Sequence, residues 1–268
     1  MMQKKARQIG VLLFWLFLWQ AAALIIDNNI VFVGPAQVLY SLFVQIRTIE
    51  FWQTCLVSLS RICLGFLSAF FTAIILGAVS FRFSLMKELL TPIMLFAKSV
   101  PVASFVILAL IWMGSKNLSI FIAYAVVLPI IYASTLSGLE STDPKLLEMS
   151  DVFRLPGIKK IKAIYIPALL PYLMSGINSA LGMSIKSGVA AEVIGVPAFS
   201  IGARLYTAKI YLDTADLFSW TLVIILATWL FEILFLKLIG LICPVQAALY
   251  NKREHGSNAK TGETEESL

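Results

Sequence analysis

Between Glu148 and Pro167 the chain reads EMSDVFRLPGIKKIKAIYIP, which sets Glu148, Asp151, Arg154, Lys159, Lys160 and Lys162 between two strongly apolar segments. In a chain of 268 residues that is 59% hydrophobic and 13% charged, such a polar island requires water beside it. The flanks decide the fold class. Outward from the island, apolar residues come in runs about 20 residues long, enough to cross a hydrocarbon core of roughly 30 Å. The mean hydropathy of +0.88 is far above that of a soluble domain. A membrane span must satisfy its own backbone, and these runs are too long and too unalternating for barrel strands. The prediction is an all-α, polytopic membrane protein.

Hydropathy and chain breakers predict six spans: Ile9 to Ile26, Cys55 to Val79, Leu89 to Met113, Leu118 to Leu139, Ala168 to Val196 and Leu217 to Cys243. The first follows MMQKKAR, and its apolar run has no small-residue cleavage site after it, so it reads as a span rather than a signal peptide. Orientation follows from the lysines and arginines, which stay on the cytoplasmic side. Thirteen of them (Lys4, Lys5, Arg7, Arg82, Lys87, Lys145, Arg154, Lys159, Lys160, Lys162, Lys252, Arg253 and Lys260) fall in alternate polar segments, against Arg47, Lys116, Arg204 and Lys209 in the others. Both termini and the island are therefore expected in the cytoplasm. The organisation predicted is a cytoplasmic N-terminus over residues 1–8, a transmembrane domain over 9–243 containing the loop 140–167, and a disordered cytoplasmic tail over 244–268.

Composition excludes several classes. Cys55, Cys63 and Cys243 have neither CxxC spacing nor an even count, so a disulfide framework or thiolate metal site is not expected. The one histidine, His255, lies in the polar tail. Topology accounts for the net charge of +6, and no nucleic-acid partner is implied. With no paired-carboxylate motif, membrane-enzyme chemistry is not expected. There is no GxxxxGK[ST] loop, so the chain does not hydrolyse ATP, and energy must come from a partner or an ion gradient.

Within the island, STDPKLLEMSDVF reads as a helix start, with Asp143 as cap and Pro144 at the first helical position. Leu146, Met149 and Phe153 share one stripe of that helix, and Lys145, Glu148 and Asp151 lie off it. Leu155, Pro156 and Gly157 break the chain. A second short helix follows, with Ile158, Ile161 and Tyr165 on one stripe, ending at Pro167. This helix, turn, helix platform has two readings: a surface for anionic lipid headgroups, or an ordered docking site for a protein. The acidic residues at its start and its defined caps favour the protein. Glu148 itself is either a contact or a helix partner for Lys145.

The stretch resembles the cytoplasmic EAA loop of the permease subunits of binding-protein-dependent ABC importers. Glu148, Met149 and Ser150 match the opening triplet, and Ile166 and Pro167 the close. SLSRICLGF (58–66), KSVPVASFVILALIWMG (98–114) and SGVAAEVIG (187–195) resemble the nitrate, sulfonate, taurine and bicarbonate branch, the likeness running from about Pro35 to Gly240. Met149 and Ser150 replace both alanines of the pattern, and Arg154 stands where the family usually has glycine. The resemblance implies a pathway formed by two permease subunits, the second expected to be an identical copy. It also implies two cytoplasmic ATPases that bind and hydrolyse the ATP, an extracytoplasmic solute-binding protein, and a bacterial cytoplasmic membrane. The ATPase-coupling set expected from it is Glu148, Met149, Ser150, Asp151, Phe153, Arg154, Leu155, Pro156 and Gly157. Small anions such as a sulfonate, taurine or nitrate are the solutes expected.

Ionisable groups at membrane depth are costly unless paired or wetted, which marks each as a candidate for the pathway or for an interhelical pair. Lys186 lies near the middle of the fifth run, either as a cation for an anionic solute or as the partner of Glu192 or another acid. Arg61 and Glu192 fall in the outer halves of their spans and are candidates to pair. Lys98 precedes Pro101, where a broken helix frees carbonyls. A gradient-driven secondary transporter is the alternative function; the six spans, the lack of visible inverted repeats and the coupling-type loop count against it.

Overall fold

A computed structural model describes residues 2–28 and 30–242 and divides into two units, Met1–Leu226 and Ala227–Leu268. Cys243, His255 and the predicted tail lie outside the described residues. The helices are α1 (Met2–Ile26), α2 (Pro35–Ile46), α3 (Ile49–Arg82), α4 (Ser84–Ser99), α5 (Val102–Glu140), α6 (Pro144–Val152), α7 (Gly157–Lys160), α8 (Ile166–Gly195), α9 (Ile201–Ile210) and α10 (Thr214–Ile242). A π-helical turn, Ile161–Tyr165, joins α7 to α8. No strand occurs among the described residues, as an all-α chain requires.

Among the described residues, five helical stretches are long and apolar enough to cross a membrane: Ile9–Ile26, Ile49–Arg82, Val102–Glu140, Gly157–Gly195 and Thr214–Lys237. The difference from the six predicted spans lies between Ser84 and Glu140. The predicted span Leu89 to Met113 is not one helix: it breaks at Pro101, which has no N–H to donate and disfavours the helical region for the residue before it. Val100 is extended, with φ −72° and ψ 128°. What remains as α4 is 16 residues, about 24 Å of helix and short of a full crossing. Beyond Pro101 the chain is helical to Glu140 except at Gly114, whose φ of 69° and ψ of 174° divide α5 into two arms, residues 102–113 and 115–140. Glycine alone adopts that conformation freely. The chain turns back on itself there: Phe105 packs on Phe121 with ring centroids 5.6 Å apart, and Val106 and Ala109 share a cluster with Leu118 and Ile122. The predicted gap between the third and fourth spans is thus a one-residue reversal. Residues 84–113, broken at Pro101, and residues 115–140 make two antiparallel passes, and the even number of passes predicted is kept.

The core of the first unit is α5 packed chiefly against α8 and α3. Ile62, Phe66, Val106, Leu118, Ile122, Ile131, Ile177, Leu181 and Ile185 are buried there. Small residues set the separation of the helices. A Cβ on Gly65 would lie 2.3 Å from the Ile120 carbonyl oxygen, so α3 and α5 touch backbone to backbone at that point. Gly77 meets Thr135 further along, which makes α3 and α5 parallel, while Gly188 meets Ile62 and Ser58 meets Glu192, which makes α8 antiparallel to α3. One end of this three-helix core therefore carries α6 and α7, next to the Lys87–Glu140 ion pair and the Phe81–Tyr165 ring contact. The other end carries α9.

Candidate functional site

At the first end the predicted platform forms, with one change. Asp143 caps α6, its Oδ1 accepting from the Lys145 N–H at 2.9 Å, and Pro144 holds the first helical position. The end of α6 is closed by two crossed bonds. Leu155 N–H donates to the Ser150 carbonyl at 2.9 Å, and Arg154 N–H to that of Asp151 at 3.1 Å. This is a Schellman closure, which demands a left-handed residue at the position Arg154 occupies, and its φ is 47°. A glycine would take this conformation without strain. Across the turn, Lys160 Nζ meets Asp151 Oδ1 at 2.9 Å and ties α7 to α6.

The change concerns the second helix of the platform. It does not stop at Pro167 but runs through the π-helical turn into α8, giving one continuous helix over Gly157–Gly195. Pro167 cannot donate in an ordinary helical ladder, and a wider turn just before it absorbs the defect. In that turn Ile166 N–H donates to the Ile161 carbonyl, five residues back.

The apolar stripe of α6 faces outward. Ser150 is buried against the body, whereas Leu146 and Met149 are exposed, Val152 is 79% exposed and Phe153 is 71% exposed. Glu148, Asp151, Arg154, Pro156 and Gly157 are exposed and Leu155 half-buried. Glu148 makes no ion pair with Lys145 among the described residues, where the three ion pairs are Lys87–Glu140, Lys160–Asp151 and Arg204–Glu50.

At the opposite end, Glu192 is fully buried. Its Oε2 accepts from Ser58 Oγ of α3 at 2.7 Å and from the Gly202 N–H of α9 at 3.2 Å. Ser58 Oγ in turn accepts from the Ile201 N–H at 2.8 Å. Ser119 of α5 stands beside the carboxylate, yet its Oγ and Glu192 Oε1 remain without a hydrogen-bond partner. Arg61 is close enough to act on Glu192 through its charge, but its guanidinium donates to the Ala198 carbonyl at 3.4 Å rather than to the carboxylate. Sequence reading singled out Arg61 and Glu192 and missed Ser58, Ser119 and Gly202. Small polar residues inside apolar runs were the available signal.

The two lysines are placed differently. Lys186 lies on the exposed side of α8 with Ser179, Met183 and Ala190, opposite the buried side that holds Leu181, Ile185, Gly188 and Glu192. Lys98 is exposed in the last turn of α4. Neither makes an ion pair among the described residues. Also at the α9 end, a cleft of about 890 Å³ is lined by Gln37, Ser41 and Gln45 of α2 and by Tyr211, Asp213 and Asp216 near the start of α10. Asp216 accepts from the Gln45 side chain, and Asp213 Oδ1 accepts from the Asp216 N–H at 3.0 Å.

A family model described as "Binding-protein-dependent transport system inner membrane component" matches residues 64–244, which include the platform, Lys186 and Glu192. The chain belongs to that family. The permease is similar to a probable ABC transporter permease protein of Haemophilus influenzae, 27% identical over 190 residues that make up 70% of this chain and 75% of that protein. It is similar to a putative aliphatic sulfonates transport permease of Bacillus subtilis, 28% identical over 61% of this chain and 59% of that protein. A bicarbonate transport system permease of Synechococcus elongatus is 26% identical over 59% of this chain and 57% of that protein. Family and fold agree on a permease subunit of an ABC transporter, a membrane transport protein whose ATPase is a separate chain.

Proposed function

We propose that this permease forms, with a second and identical copy, the solute pathway of a bacterial importer in the cytoplasmic membrane, and that the α6–α7 platform receives the motion of a cytoplasmic ATPase. ATP is bound and hydrolysed by that partner, and an extracytoplasmic protein delivers the solute. The observation that carries the reading is the outward apolar face of α6. Val152 and Phe153 stand almost free beside Glu148, Asp151 and Arg154 on a turn clasped by a Schellman closure and an ion pair. A helix presenting its apolar stripe away from its own protein suits a groove on a partner, and a platform continuous with a spanning helix passes a rigid displacement into the membrane. Ser150 then acts from the buried side, and Glu148, Met149, Asp151, Phe153, Arg154, Leu155, Pro156 and Gly157 supply the contact. Both termini lie in the cytoplasm on this reading, by the bias of lysine and arginine.

The solute is a small anion. Lys186, a cation at membrane depth with no ion-pair partner among the described residues, supports this, as do relatives named for aliphatic sulfonates and bicarbonate. The test is recovery of an ATP-hydrolysing subunit with the tagged chain from its native membrane. It should come with the intact chain and be lost on deletion of residues 148–162 or with Phe153→Asp. A stable chain that comes down alone in every case overturns the reading. Glu148→Lys should insert normally yet abolish ATP-driven uptake, and Lys186→Met should lower uptake of the anion while leaving assembly intact.

A further inference from the structure

We infer that Glu192 is a positioning residue that fixes α9 to the far end of α8, so that α9 moves with the helix that starts at the platform. This rests on the reading that the platform is displaced by an ATPase.

The helix over Gly157–Gly195 is 39 residues long, about 58 Å, and has no break between the platform and Glu192. A displacement at one end therefore arrives at the other. What it moves there depends on how α9 is held. The first N–H groups of a helix have no partner within it, and in α9 they are met by two other helices and by the helix's own cap residue. Ile201 donates to Ser58 of α3, Gly202 to Glu192 of α8, and Ala203 to Ser200 at 3.1 Å. Glu192 is the only one of these acceptors that belongs to the long helix. The contact has no slack: a Cβ on Gly202 would lie 2.3 Å from Glu192 Cβ and 2.4 Å from the Val193 nitrogen.

The connection between the two helices is itself under strain. Val196 has φ 45° and Phe199 φ 51°, both left-handed without being glycine, and such residues persist only where their surroundings hold them. Released from Glu192, this connection would relax and α9 would lose its register on α8.

Two measurements on the full chain decide the matter. In hydrogen exchange of the purified permease, Glu192→Ala should speed exchange of the α9 amides about tenfold, the size expected for a lost buried bond. Exchange in the α3 and α5 core should change far less than in α9, and Glu192→Asp should restore part of the protection. Unaltered α9 exchange overturns the proposal whether or not an ATPase is present. In the complex with its ATPase, a Thr207→Cys reporter on exposed α9, with the native cysteines replaced, is labelled by a membrane-impermeant maleimide without nucleotide and after vanadate trapping. The rate should differ several-fold between the states with Glu192 and become equal with Glu192→Ala while the ATPase stays bound. A difference that survives Glu192→Ala, or that is missing with Glu192 present, sinks the proposal. Failure to recover any ATPase counts against the importer reading alone, and the exchange experiment still stands.

Discussion

Ser58 and Glu192 stand 134 positions apart in the chain and share a 2.7 Å hydrogen bond inside the helical core. The same hydroxyl accepts from the Ile201 N–H, so Ser58→Ala strands that backbone donor and leaves Glu192 Oε2 with the Gly202 N–H as its one remaining donor. The expected loss is about 1–3 kcal/mol. Because the two residues act in one network, Ser58→Ala and Glu192→Gln should cost less together than the sum of the separate losses. Thermal unfolding of the four proteins in detergent measures this, and strict additivity would show that the bond carries no coupling.

Arg154 holds a left-handed position that glycine fills without strain. Arg154→Gly should stabilise the platform by about 0.5–1 kcal/mol, and Arg154→Val, branched at Cβ, should destabilise it by more. Protease sensitivity of the 148–162 stretch reads both. Equal sensitivity of the glycine and valine variants would mean that the Schellman closure is not formed in solution.

Two glycines should respond in opposite ways to the same methyl group. Gly65→Ala drives a Cβ against the Ile120 carbonyl oxygen and pushes α3 from α5, whereas Gly182 has nothing within 4 Å. Gly65→Ala should lower the unfolding midpoint by the equivalent of about 1–3 kcal/mol, the usual penalty of overpacking. Gly182→Ala should match or slightly exceed the parent, since alanine is the better helix former.

Lys87 at the α6 end donates to Glu140 at 2.5 Å, and that bond together with the carboxylate charge holds the ammonium above its ordinary value of 10.5. A lysine raised in the folded state contributes stability that is complete below its unfolded pKa and disappears as pH climbs through the folded one. Between about pH 6 and 9 the pair should leave stability flat, and the loss should set in only above about pH 10.5. Lys87→Gln should remove that alkaline loss. Both side chains are near half-exposed, so added salt should weaken the pair.

Much of this was legible in the sequence for physical reasons. Asp143 and Pro144 announce a helix start through the chemistry of an unsatisfied N-terminus, and they form one. Pro101 announces a break, and it makes one, although the reading extended a span across it. Gly114 was legible only as a gap, because hydropathy does not distinguish a loop from a reversal of one residue. The exposed stripe of α6 was read as a stripe, but which side faces the protein depends on Ser150 packing against the body, and a serine is silent in an apolar pattern. Around Glu192 the charged partner suggested by sequence, Arg61, donates to a carbonyl, and the work falls to Ser58 and two backbone amides. Hydroxyls and amides across 134 positions leave no periodic trace.

The π-helical turn at Ile161–Tyr165 holds one residue more than an α-helical turn would, and an extra residue in a helix advances the azimuth of everything before it by about 100°. Gly157 to Lys160 and the side chains of α8 therefore lie on one axis but out of phase. A single deletion within Ile161–Tyr165 would keep the rod and the sequence of both faces, yet swing Lys159, Lys160 and the clasp to Asp151 a quarter-turn around it. The turn works as a phase shifter, fixing the compass bearing of the platform independently of how α8 is seated.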